Sequence, residues 1–198
     1  MVQTRDFIRD WCWDDAPPWS VTSESVAFVE RQLHALGEDY RRVGDAAIHR
    51  SATVEHGAVL KGPAIVGPRC FVSSSALLRG GVLLGEDCTV GPCCELKSTI
   101  MLSGSKAAHL NFVGDSLIGC GVNIEAGAMI ANYRNERADK RIFVRRSHEV
   151  IDTGVTKFGA LVGDNVRIGA NAVIAPGALL EPGRIVRRLE LVDQHPDG

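Results

Sequence analysis

An aliphatic residue returns at every sixth position through the first half of the chain: Ile48, Val54, Leu60, Val66, Val72, Leu78, Leu84, Val90, Leu96 and Leu102. Four places after each guide the residue is small or aliphatic, as at Ala52, Ala58, Ala64, Cys70, Ala76, Val82, Cys88, Cys94 and Ile100. A period of six fits neither the 3.6 of a helix nor plain alternation. It predicts a coil with three short flat faces, one hexapeptide per face and 18 residues per turn. Guide residues point inward and stack on those of the next turn, so stability accumulates turn by turn. Gly and small residues, as in Val66-Gly67 and Leu84-Gly85, serve the corners, where close backbone approach or positive φ is needed. The phase slips after Leu102, resumes at Phe112, Ile118, Ile124 and Ile130, and returns at Val162, Ile168, Ile174, Leu180 and Val186. Two loops are therefore expected, at 103–111 and between Ala131 and Leu161.

The predicted fold class is all-β, a single-stranded parallel β-helix over 46–190 with an insertion at about 132–160 and a tail at 191–198. Residues 1–45 read as a helical extension. Val26, Val29, Leu33 and Leu36 share a helical face, with Thr22 or Ser23 as N-cap, Gly37 at the stop, and a loop over Asp14–Trp19 before it. Trp11, Trp13 and Trp19 are expected to pack this segment onto the coil or a neighbouring subunit.

Composition narrows the function. The 198 residues carry a net charge of -2, which gives no global basic field for nucleic acid or an anionic membrane. No apolar run approaches the ~18 residues of a spanning helix, and the N-terminus lacks a signal-peptide pattern; a cytoplasmic address is expected. The six cysteines (Cys12, Cys70, Cys88, Cys93, Cys94, Cys120) form no C-x-x-C pair and read as small buried fillers. No metal is expected.

Charge gathers in two places. The second loop holds Arg134, Arg137, Lys140, Arg141, Arg145, Arg146 and Lys157 against four carboxylates. It is either a solvated hairpin or a positive wall facing a phosphate-bearing ligand. His109 sits at the first break, beside Lys106 and Lys97. Arg79 and Lys97 are 18 residues apart and should stack on adjacent coils, an arrangement that repels unless an anion lies between them.

The segments Lys106-Ala107-Ala108-His109-Leu110-Asn111-Phe112-Val113-Gly114-Asp115, Gly121-Val122-Asn123-Ile124-Glu125-Ala126-Gly127 and Asn132-Tyr133 carry a specific resemblance. They are similar to the left-handed β-helix acetyltransferase half of bifunctional enzymes that make UDP-N-acetylglucosamine. The later segments Ile151-Asp152-Thr153-Gly154 and Lys157-Phe158-Gly159-Ala160-Leu161-Val162-Gly163-Asp164 resemble archaeal-type sugar-phosphate nucleotidylyltransferases with the same tail. The likeness runs over roughly 75–190, without gaps from Arg79 to Tyr133.

That resemblance implies a left-handed coil, a homotrimer with sites between subunits, and transfer of acetyl from acetyl-CoA to a sugar phosphate such as glucosamine-1-phosphate. It makes His109 the general base, a role suited to an imidazole with an ordinary pKa near ~6.5. Arg79 and Lys97 would hold the phosphate, with Phe112 and Asn123 at the sugar. Ala126, Asn132, Tyr133, Lys140, Ala170 and Arg188 would line the acetyl-CoA channel. No acyl-enzyme is implied. The chain departs from the pattern where Phe112 replaces a usual Tyr, Glu125 a usual Gly and Ala170 a usual Ser, and where Lys140 or Arg137 stands in for a displaced lysine. Residues 1–45 hold no nucleotide-binding loop, so a nucleotidylyltransferase would have to be a separate partner.

Two other readings stay open. A non-catalytic module that binds a sugar nucleotide or a sister subunit would also place Phe112 and Glu125 here, and an acetyltransferase for a different sugar would too. A zinc anhydrase of this fold needs three convergent histidines, and the spacing of His49, His56, His109 and His148 offers no such triad.

Overall fold

Each hexapeptide is too short to bury its guide residue alone, so successive turns stack. The computed structural model describes residues 16–195, which leaves Trp11, Trp13 and Cys12 outside them. Three parallel sheets of seven stacked strands form a three-sided β-solenoid, and the first sheet gains an antiparallel eighth strand, Tyr40–Val43, at its start. Inside run three columns of guide residues, almost all fully buried. The first face contributes Ile48, Val66, Leu84, Met101, Ile118, Val162 and Leu180. Parallel strands buried on one side favour such β-branched and aliphatic residues.

The guide column corrects two expected positions. Met101, not Leu102, pairs with Leu84, and Val113, not Phe112, pairs with Leu96. The step from Lys97 on the third face to Ile100 on the first is one residue shorter than the step above it, as is the step from Gly114 to Leu117. Two coils are thus tightened, and no loop breaks the stack at 103–111, where Lys106–Ala107 is a regular strand. The tightened corners carry buried hydroxyls that meet the backbone carbonyls. Thr99 Oγ1 reaches Lys97 O at 2.9 Å, and Ser116 Oγ donates to Gly114 O at 2.7 Å while accepting from the Ala160 N–H. Because of the slip Ile100 points outward, where Thr99 holds the small inner position.

The outer side of the first face is also aliphatic: Ala47, Ile65, Leu83, Ile100, Leu117, Leu161 and Leu179. It is covered by the chain itself. Helix α1 (Pro18–Ser23) brings Trp19 onto Phe158, and α2 (Ser25–His34) lays Val29 and Leu33 on Ala47 and Ile65. Pro18 and Trp19 thus belong to a helix rather than to the expected loop, and Val26 faces solvent. Thr22 and Ser23 do not cap α2; both hydroxyls donate back to Trp19 O, and Glu24 takes the cap position. The start of α2 rests so closely on Gly81 that a Cβ there would lie 2.5 Å from the Ser25 backbone.

The insertion is a hairpin, Phe143–Arg146 with Glu149–Asp152, whose Ile142 and Val144 join Phe158 over the lower part of the first face. The solenoid strands continue to Leu191–Val192. Of the cysteines, Cys70, Cys88 and Cys94 fill the interior as expected, whereas Cys93 is exposed and Cys120 is half-buried.

Candidate active site

Stacked strands place chemically distinct side chains in vertical columns, and the site residues fall into three of them. On the third face Lys61, Arg79 and Lys97 lie directly in register, so the expected stacking of Arg79 on Lys97 is observed. Each of the two candidate phosphate ligands has a carboxylate partner. Arg79 meets Glu95 at 2.6 Å, and Lys97 Nζ meets both oxygens of Asp115 at 2.7 and 2.8 Å. The Lys97–Asp115 pair is largely buried, at 17% and 7% side-chain exposure. Asp115 also accepts from the Asn132 amide, which ties Asn132 to Lys97 through one carboxylate. The column ends at Gly114, opposite Lys97, where a Cβ would come within 2.7 Å of Asn132 and 2.8 Å of the Phe112 ring. Lys97, Asp115, Phe112 and Asn132 therefore form one cluster around a glycine.

The second column follows the corner between the second and third faces. Gly127 N–H donates to His109 O, Asn171 N–H to Ala126 O, and Leu189 N–H to Ala170 O. His109, Ala126, Ala170 and Arg188 thus descend one edge, although they lie far apart in the sequence. His109 is exposed, and its backbone N–H is held by Asn111 Oδ1 at 3.2 Å. Asn111 is itself buried and donates to Glu125 O and Ala128 O, which fixes the turn that carries the imidazole.

Glu125 closes this edge. Arg188 grips it with two contacts, at 2.9 and 3.0 Å, and the Ala170 N–H donates to it at 2.9 Å. The Arg188 guanidinium first, and then that N–H, hold the Glu125 carboxyl below the usual range. Asn123 stands one step away on the second face, between Lys106 and Arg167. Together with Glu125, Arg167, Ile185, Arg187 and Arg188 it lines an open cleft of about 510 Å³.

Asn132 and Tyr133 lie on the opposite edge of the third face, at its corner with the first. Lys140 reaches back over the Tyr133 ring, its Nζ 5.4 Å from the centroid, and donates to Arg134 O and Asn135 O. Within one chain, the residues expected at the donor channel are therefore split between two edges. Ala126, Ala170 and Arg188 follow one; Asn132, Tyr133 and Lys140 follow the other.

Part of the second loop's positive charge is compensated within the chain. Arg134 is 1% exposed and bound to Asp193 at 2.7 Å, while Arg141 is paired with Asp139 and Asp152. Both cations serve to hold the insertion together.

Asp115, Glu95 and Arg167 were not anticipated from the sequence. A signal for Asp115 was present: it lies 18 residues after Lys97 with opposite charge. In the tightened coil that offset moves Asp115 off the ladder to the corner, where it reaches both Lys97 and Asn132. Among the described residues, no group of three His, Cys, Asp or Glu side chains converges in the manner of a metal site. No described helix is long and apolar enough to cross a membrane.

No family model matches the chain. Curated relatives do. The bifunctional sugar-1-phosphate nucleotidylyltransferase/acetyltransferase of Sulfurisphaera tokodaii is 38% identical over 96 residues, 46% of this chain and 23% of that protein. The chain is a hexapeptide-repeat β-solenoid similar to part of such enzymes. The bifunctional protein GlmU of Koribacter versatilis is 33% identical over 135 residues, 68% of this chain and 24% of its own. That of Pseudoalteromonas atlantica is 37% identical over 133 residues, 67% and 25%. The matches thus span about a quarter of these relatives' length.

Proposed function

We propose that the protein transfers an acetyl group from acetyl-CoA to the amino group of a sugar phosphate, with His109 as general base. The observation that carries this reading is the Lys97–Asp115–Asn132 cluster beside Arg79: one carboxylate couples a candidate phosphate ligand to a candidate donor-channel residue. Names borne by the relatives, which include acetyltransferase, support the same class of reaction. In this reading Arg79 and Lys97 anchor the phosphate, Phe112 packs against the sugar, and Asn123 donates to it. His109 accepts the proton as the amine nitrogen attacks the thioester carbonyl, and returns it to the CoA sulfur as the C–S bond breaks, so that CoA leaves as its thiol.

Glu125, which alone would repel a phosphorylated donor, is neutralised by Arg188, so its presence does not argue for a module without catalysis. The separation of the donor-channel residues onto two edges supports a homotrimer in which a neighbouring copy supplies the facing wall. Glucosamine-1-phosphate is the acceptor expected from the resemblance, and the cytoplasm the expected location. Thiol release from acetyl-CoA, measured against a panel of amino-sugar phosphates and nucleotide-linked amino sugars, tests the reading. Release with a phosphate-bearing amino sugar is expected, and no release with any acceptor would overturn it.

A further inference from the structure

Four outward positions of the second face lie directly in register: Lys106, Asn123, Arg167 and Ile185. The neighbouring guides Ile124, Ile168 and Val186 point into the core, so Arg167 stands on the outer surface, where it is exposed. At the adjoining corner, the positions that follow these guides are Glu125, Gly169 and Arg187. Gly169 has no side chain between two long ones, and the cleft of about 510 Å³ lies there. A Cβ on Gly169 would come within 2.6 Å of Arg188 N, so the gap is built into the backbone packing.

Three arginines and one carboxylate line this cleft. Arg188 is bound to Glu125 at 2.9 and 3.0 Å, so its charge is compensated. The guanidinium groups of Arg167 and Arg187 form no ion pair among the described residues. Arg187 donates to Glu190 through its backbone N–H rather than its side chain. Ile185, 60% exposed, gives the cleft an apolar side. Along the edge, His109, Ala126, Ala170 and Arg188 occupy four successive coils. The lower end of the cleft is thus three strand spacings, about 14 Å, from the turn that carries the imidazole. That is comparable to the reach of an extended pantetheine arm, which separates the thioester of CoA from its diphosphate.

Resting on the acetyl-transfer reading, we propose that Arg167 and Arg187 bind the diphosphate of the CoA donor. Arg188 does not take this role, because Glu125 holds it. Planar guanidinium forks match phosphate oxygens two at a time, and a cleft with two uncompensated cations concentrates an anion.

Titration calorimetry of the full chain with CoA and with dephospho-CoA, which lacks only the ribose phosphate, tests this. Both are expected to bind alike, and more weakly as salt rises. The double variant Arg167→Gln/Arg187→Gln removes the charge-assisted hydrogen bonds of two guanidinium groups and should weaken both at least about tenfold. Both side chains are exposed, so its thermal unfolding should match the wild type. Arg167→Lys/Arg187→Lys keeps the charge without the fork and should fall between. Arg41→Gln removes an exposed charge at the far end of the solenoid and should change nothing. In steady state the glutamine variant should raise KM for acetyl-CoA but not for S-acetylpantetheine, which has no phosphate. CoA affinity that survives the double substitution, or an equal loss with the phosphate-free donor, overturns the assignment while wild-type acetyl transfer stands. A preference for CoA over dephospho-CoA as large as the effect of the substitutions places the arginines on the ribose phosphate and overturns it too. Wild type that binds no CoA overturns both readings. CoA binding that needs the two arginines, in a chain that transfers no acetyl, overturns the transfer reading and keeps the site.

Discussion

At the scale of single residues, two groups of the proposed site have surroundings that differ sharply. His109 is exposed on a turn fixed from beneath by Asn111, so its replacement should disturb little else. His109→Ala is expected to lower the rate of acetyl transfer by roughly 10²–10⁴, the usual worth of a positioned base. Affinity for acetyl-CoA should stay near that of the wild type; steady-state kinetics with separate donor titration checks both. Asp115 is the opposite case: nearly buried, it touches Lys97 and Asn132 together. Asp115→Asn leaves the Lys97 ammonium without its counter-charge, and breaking such a pair costs about 3–5 kcal/mol when fully buried. Urea unfolding should show a loss toward the lower end of that range, since Lys97 keeps partial access to water. Phe112 marks the edge of what the sequence disclosed. Its resemblance to a position usually held by Tyr was visible, but the expected guide role was not its own, because the neighbouring Val113 faces inward.

At the scale of elements, register decides which side chains form the core. Met101→Ala removes a fully buried guide and should cost about 2–5 kcal/mol. Leu102→Ala, on a half-buried outward position, should cost clearly less; the reverse order in chemical denaturation would contradict the tightened coil. The hairpin is held at its base by Arg134 and Asp193, and the guanidinium drives the Asp193 carboxyl down to about 2. A carboxyl depressed in the folded state, from an ordinary ~3.9, contributes stability above its unfolded pKa and loses it as pH falls through the folded one. The stability difference between wild type and Asp193→Asn, read from thermal unfolding, should thus be full at about pH 5–7. It should shrink between about pH 4 and pH 2.

At the scale of the whole molecule, the three sides are not equivalent. The first is covered by α1, α2 and the hairpin, whereas the third exposes Val59, Met129, Val173 and Leu191, with Leu110 and Leu189 along its edge. In the proposed trimer these exposed apolar side chains would form the association surface. Light scattering is expected to give the mass of three chains, and the double variant Val173→Glu/Leu191→Glu should give single chains with acetyl transfer abolished. A wild-type monomer that transfers acetyl would refute the facing-wall arrangement.

Periodicity in the chain was enough to specify the three-sided coil and the stacking of Arg79 on Lys97. Each follows from a period that repeats locally, and each guide needs only the residue a turn away. The sequence also displayed the His109, Asn123 and Asn132-Tyr133 set, because those residues lie close together in the chain. Tertiary structure alone decided the rest. Thr99 and Ser116 show where two corners lose a residue, a change that local periodicity registers only as a slip. Arg134 looked like a surface cation until Asp193, 59 residues away, was brought against it. Likewise Glu125 met Arg188 across 63 residues. Whether a charge faces solvent, a ligand or a partner depends on which remote segment packs beside it. Burial is set by the fold as a whole, and no single stretch of residues carries it.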